Sequence, residues 1–153
     1  MHRCLSVFAC LLVLAGCTAI QVQPLSRSEL TTPHVCIEDN PKVLLADFLP
    51  VLQHGFEQHG ITTELFQNKA PDSCPAVVTY TARQSWDMVR FLSKAEVWIS
   101  RDGRQIAHAE YHLRGGGGYA LTKYEHTATK MRPVMAQLLK EFDAAAARPA
   151  AAP

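Results

Sequence analysis

The chain reads as an α+β protein, a two-layer sandwich in which a mostly antiparallel sheet of about five strands carries two helices on one face, in the order β-α-β-β-β-β-α. Three observations lead there. Two segments, 43–59 and 127–142, repeat apolar residues at helical spacing, whereas five shorter ones concentrate or alternate β-branched and apolar residues. The last two strands are joined by Arg101-Asp102-Gly103-Arg104, and Asp-Gly is a strong hairpin turn pair.

The first strand is His34-Val35-Cys36-Ile37-Glu38, stopped by Asp39-Asn40-Pro41. Asn40 suits a helix cap, and Pro41 suits a first helical position, where its missing N–H costs nothing. Along 43–59, Leu44, Phe48, Leu52 and Phe56 recur every fourth residue, with Leu45, Leu49 and Val51 widening the stripe. Pro50 interrupts this helix, so a kink or two abutting helical pieces is expected there. Gly60 ends it as a left-handed cap, and 61–66 follow as a second strand. Strands at 76–82, 95–100 and 105–113 complete the sheet. The closing helix, 127–142, buries Met131, Val134, Met135, Leu138, Leu139 and Phe142, with Pro133 pushing its start later.

The N-terminus has the layout of an export signal: Arg3 supplies the positive region, and 5–15 form an apolar run too short to span a bilayer. Leu14-Ala15-Gly16-Cys17 resembles a bacterial lipobox. The resemblance implies removal of residues 1–16 and acylation of Cys17, including a palmitate-type chain on its amine, against the alternative of an ordinary cleaved signal with no lipid. Thr18 in place of Asp lacks the retention signal of inner-membrane lipoproteins, which implies the periplasmic face of the outer membrane. Several acyl chains, each buried methylene contributing about 0.8 kcal/mol, make release negligible. The expected organisation is a signal peptide at 1–16, a polar Thr/Gln/Ser tether at 17–33, one α+β domain at 34–143 and a disordered Ala/Pro tail at 144–153.

Loss of Arg3 with the signal takes Lys plus Arg from 15 to 14, against 14 Asp plus Glu, so the mature chain is formally neutral. A nucleic-acid partner, which needs a strong basic field, is not expected. Cys4 and Cys10 leave with the signal and Cys17 takes the lipid. Cys36 and Cys74 remain as thiols in an oxidising compartment, so a disulfide is the expected outcome; a metal or catalytic thiol is the alternative, but neither cysteine sits in a ligand motif.

Four features carry candidate chemistry. His108, Glu110 and His112 share one face of a strand and are all metal-ligand types, but His108 and His112 lie about 13 Å apart, so a solvated sheet face is the competing and favoured reading. Gly115 to Gly118 lack the Lys-Ser/Thr or G-x-G-x-x-G context of a phosphate cradle and read as a flexible loop. Trp86, just past a strand, is either a binding platform or a lid on the core, and the lid is favoured. Trp98 lies opposite Ala95, Val97 and Ile99, so helices covering only that set leave Trp98 exposed as a partner-binding candidate. The serines lack a nucleophile elbow, no catalytic residue or cofactor is assigned, and an enzyme is not expected.

The lipobox together with Val35-Cys36-Ile37, His59-Gly60-Ile61-Thr62, Cys74, Tyr80-Thr81-Ala82, Ser85-Trp86-Asp87, Ala109-Glu110-Tyr111 and the four glycines resembles a group of small uncharacterised proteobacterial lipoproteins. At fold level the element order is also similar to envelope assembly lipoproteins such as the lipopolysaccharide-assembly lipoprotein. These resemblances imply location and fold. The expected function is a lipid-anchored, periplasm-facing binding or assembly module contacting the membrane and possibly another envelope protein or a glycan. The alternative is a metal-binding or hydrolytic protein working through His108, Glu110 and His112.

Overall fold

Period-two alternation dominates the sheet of the computed structural model, which describes residues 18–143. The expected signal segment 1–16, the expected lipidation site Cys17 and the tail 144–153 lie outside the described residues. The strands are β1 (Thr18–Gln23), β2 (His34–Glu38), β3 (Thr62–Phe66), β4 (Val77–Asp87), β5 (Val89–Arg101) and β6 (Arg104–Leu113), with helices α1 (Phe48–Gln58) and α2 (Thr127–Leu138). They form one six-stranded sheet ordered β1-β6-β5-β4-β2-β3. The pairs β1/β6, β6/β5 and β5/β4 are antiparallel, whereas β2 is parallel to both β4 and β3. The α+β class is as expected. The sheet is mixed, with six strands instead of about five: three of its five pairings are antiparallel, as expected for most of it, and β2 is parallel to β3 because the β2-α1-β3 crossover returns the chain parallel to its start.

The sixth strand corrects the expected tether. Thr18-Ala19-Ile20-Gln21-Val22-Gln23 pairs along its length with β6, from Thr18 opposite Leu113 to Gln23 opposite His108. Ile20 and Val22 turn toward the core. Beyond β1, Leu25 and Leu30 are buried, and Leu25 N–H donates to the Leu138 carbonyl at 2.8 Å. Glu29 is held by Arg101 at 2.8 Å and by Arg104 at 2.9 Å, which pins this segment to the β5–β6 turn.

Val35 and Ile37, Val78 and Tyr80, Ala95, Val97 and Ile99, and Ala107, Ala109 and Tyr111 are all buried. These are alternate residues, so they make one continuous apolar face, and α1 and α2 lie against it and against each other. Gly55 sets the approach of the two helices: a Cβ there would stand 2.8 Å from Met135 Cγ.

Three details of the helices differ from expectation. Helix α1 starts at Phe48, not near Val43, so Leu44 is exposed and Pro50 falls in the first turn, where no helical N–H is missed and no kink follows. Asn40 caps no helix; its Oδ1 accepts from the Lys42 N–H and its amide donates to the Tyr80 carbonyl. Helix α2 begins at Thr127 although Pro133 lies inside it, and it ends at Leu138, with Phe142 carried by a short 3-10 turn. The end of α1 is as expected: Gly60 has φ 74°, and Ile61 N–H reaches the Phe56 carbonyl at 3.1 Å.

The four glycines are an ordered turn. Gly115, Gly116, Gly117 and Gly118 have φ of 58°, 62°, 81° and 50°, a left-handed run that residues bearing a Cβ rarely adopt. Gly117 is also buried, and a Cβ on it would stand 2.8 Å from Lys123 Cβ and 3.0 Å from Leu113 Cδ2.

Two stability outcomes follow. Gly117→Ala combines backbone strain with a steric clash and should lower unfolding free energy by about 1–3 kcal/mol in urea, while Gly116→Ala, whose Cβ meets open space, should cost less. Equal losses at both positions would contradict the packing argument. Cys36 and Cys74 are joined, with Cα atoms 5.9 Å apart across 38 residues of chain. Reduction, or Cys36→Ala with Cys74→Ala, should cost about 4 kcal/mol by loop-closure entropy; an unchanged urea midpoint would remove that role.

Candidate binding face and its surroundings

Both helices lie on one side, and among the described residues no helix covers the other side, where the Cys36–Cys74 bridge lies over β2 and the faces of β1, β6, β5 and β4 present their side chains. Cross-strand register arranges them in rows: Gln23, His108, Trp98 and Thr79 form one, and Gln21, Glu110, Glu96 and Thr81 the next. A third row runs through Ala19, His112, Lys94 and Arg83. Apart from Trp98 and Ala19 these rows are polar. Trp98 stands in the first of these rows, half-buried, and stacks on His108 with ring centroids 5.6 Å apart and planes 26° from parallel. The indole is therefore held by a neighbouring ring and is less exposed than strand alternation alone suggests.

Lys94 organises the charge on this face. It is ion-paired with Glu96 on its own strand and with Glu110 across the pair at 3.3 Å. Its hydrogen bonds to Glu96 and Glu110 hold the ammonium above its ordinary range. These contacts also account for the candidate ligand set. His108 is occupied by Trp98, Glu110 by Lys94, and His112 lies exposed opposite Lys94, so the strand does not draw the three toward one ion.

Among the described residues, the three metal-ligand types that do converge are His34, Cys36 and Glu64, with ligand atoms within 4.8 Å of one another. The Cys36 sulfur belongs to the disulfide, which leaves a histidine–carboxylate pair at 3.6 Å. Sequence separation hid this group: β2 and β3 are parallel neighbours, and their register places Glu64 opposite Cys36. Two hollows lie elsewhere. A groove of about 430 Å³ runs between α1 and α2 past Val51, His54, His59, Met131 and Met135, and a hollow of about 400 Å³ lies at the end of β2 beside Asp39, Asn40 and Tyr80.

A second polar cluster ties the far end of the β4–β5 hairpin to the chain after the glycine turn. Lys123, itself buried, is ion-paired with Asp87 and donates to the Gly118 carbonyl at 2.8 Å, and the Tyr124 hydroxyl donates to Asp87 at 3.2 Å. The Phe91 and Tyr124 rings meet edge to face at 5.8 Å. Behind them Lys130 is buried, donates to the Leu92 carbonyl at 2.9 Å, and has its ammonium pushed below the ordinary range by burial. Trp86, expected as a core lid, is 73% exposed on this hairpin, because β4 runs on to Asp87 and carries the ring past the core.

The Asp87 clamp has a defined acid response. The hydrogen bond and charge of Lys123 lower the Asp87 pKa below its ordinary 3.8. Stability from this contact is therefore complete above the unfolded-state value and is lost as pH falls through the lowered one. Protection factors of the hairpin-tip amides, each referred to the intrinsic rate at its pH, should fall below that point in the native protein, and Asp87→Asn should show the lower protection already at neutral pH. A tip equally protected in both proteins across this range would contradict the clamp.

No protein-family profile matches the chain, and no curated protein matches it. Among solved structures it is similar to a point variant of the PelC dodecamer from Paraburkholderia phytofirmans, at 9% identity and a TM-score of 0.52 over 82% of this chain and 97% of that one. The likeness is one of fold.

Proposed function

We propose that the chain is a lipid-anchored envelope lipoprotein, held by acylated Cys17 on the periplasmic face of the outer membrane, whose domain is a binding or assembly module. The open sheet face centred on Trp98 is its partner surface. The carrying observation is the position of Trp98: a large aromatic on the side of the sheet that no helix among the described residues covers, framed by amides, hydroxyls and the Lys94–Glu96–Glu110 group. An indole fixed by stacking offers apolar area at low entropic cost, and polar neighbours supply directional bonds, which suits another envelope protein or a glycan. The fold neighbour PelC is described as a dodecamer, so a second copy of this chain is the first partner to look for.

The test is crosslinking in native envelopes with a photoreactive residue at Thr79, beside Trp98, followed by mass spectrometry. A reproducible partner that disappears with Trp98→Ala, while the variant remains folded and in the membrane fraction, is the expected result. Partners that persist unchanged in Trp98→Ala would remove this face from the proposal. Mass spectrometry of the N-terminal peptide of the membrane-extracted protein should find Cys17 first in the mature chain and acylated; an unmodified Cys17 would contradict the lipid anchor.

A further inference from the structure

Of the seven large apolar side chains exposed among the described residues, five belong to one end of the molecule: Trp86 at 73%, Met88 at 83% and Val89 at 53% on the β4–β5 hairpin, and Tyr119 at 104% and Leu121 at 82% after the glycine turn. Sheet register identifies that end. Thr18 pairs with Leu113, two residues before the first glycine of the turn, and β5 lies antiparallel to β6, so residues below Lys94 continue past the same end. The hairpin tip thus projects on the order of 13 Å beyond the level of Thr18. Cys17 is one Cα step, about 3.8 Å, from Thr18.

We propose that this end is a second membrane contact, in which the β4–β5 hairpin tip and the Tyr119–Leu121 loop enter the headgroup region of the bilayer that holds Cys17. The inference rests on the lipid-anchored reading above. With the acyl chains leaving at this end, the bilayer lies on this side, and the projecting segments are the first to reach it. Their composition fits the place. Trp and Tyr partition to the interface, where one end of the ring is apolar and the other wet, and Met88, Val89 and Leu121 supply apolar area. Arg83, Arg90 and Arg114 are exposed around them and complement anionic lipid headgroups. The Asp87 contacts to Lys123 and Tyr124 hold hairpin and loop together, so they enter as one rigid element. The opposite end of the sheet carries the Asp102-Gly103 turn and the Glu29–Arg101–Arg104 ion network.

The full-length lipidated protein tests this in vesicles of phosphatidylethanolamine and phosphatidylglycerol with or without brominated acyl chains. The chain has two tryptophans, so Trp98→Phe reports on Trp86 alone and Trp86→Phe on Trp98 alone. Trp86 emission should shift to the blue on vesicle binding and lose most of its intensity to brominated lipid, while Trp98 is left unquenched. If Trp98→Phe folds poorly, the difference between the natural protein and Trp86→Phe gives the same reading. Co-flotation with vesicles together with unquenched Trp86 overturns the proposal while leaving the anchor intact. A blue shift without bromine quenching also overturns it, and assigns the tip to a second copy or another protein. An unacylated Cys17 by mass spectrometry, with no co-flotation, fails the anchored reading itself and the proposal with it.

Discussion

Pairing of Thr18–Gln23 with the outer edge of β6 is the constraint on which the rest depends. It places the residue after Cys17 in the sheet, so the sheet has a defined direction relative to the point where a lipid would leave the chain. A flexible tether would leave every surface equally free to meet a partner. An edge strand instead fixes which end of the sheet lies near the anchor and which lies far from it. Leu25 and Leu30 extend the constraint, because burying them commits the chain beyond β1 to the core and to the end of α2. Ordering these residues costs about 1–2 kcal/mol each in backbone entropy, which their ladder bonds and apolar burial must offset.

The one-sided helix layer is the second organising fact. Alternation along four strands delivers a continuous apolar face to α1 and α2, and it delivers the opposite set to the other side of the sheet. On that side the polar groups satisfy one another: Lys94 bridges two carboxylates, and among the described residues every buried side-chain nitrogen and oxygen has a partner. Such a face is stable in water without a partner and still presents one fixed aromatic. The disulfide serves the same side, since Cys36 points away from Val35 and Ile37 and draws the segment before β4 over the middle of β2.

Much of this was legible in the sequence, and the exceptions have local physical causes. The run β-α-β-β-β-β-α, the Asp102-Gly103 turn, the Gly60 cap and the two-sided character of the Trp98 strand come from short-range periodicity and turn chemistry, and the cysteine pair from Cys36 and Cys74 being the two left once Cys4, Cys10 and Cys17 are assigned to the signal and the lipid. β1 escaped because its Thr and Gln content suggested a solvated segment, although Ile20 and Val22 alternating with Gln21 and Gln23 carried a period-two signal. The start of α1 escaped because Leu44 and Leu45 continue the helical spacing into a turn held by Asn40. Trp86 was misplaced because the hairpin is longer than its apolar pattern: Gln84 to Asp87 are strand by pairing alone, past a register shift after Arg83. The fate of His108 and Glu110 depended on Trp98 and Lys94 of the next strand, which no single strand reveals.

Amide hydrogen exchange across residues 18–23 tests the central claim most directly. Edge pairing with β6 requires alternating behaviour, with every second amide slowed by its ladder bond and the intervening ones, which face solvent, left fast. Uniformly fast exchange over all six residues, at the rate of an unstructured segment, would mean that a tether follows Cys17 and that no end of the domain is fixed against the membrane.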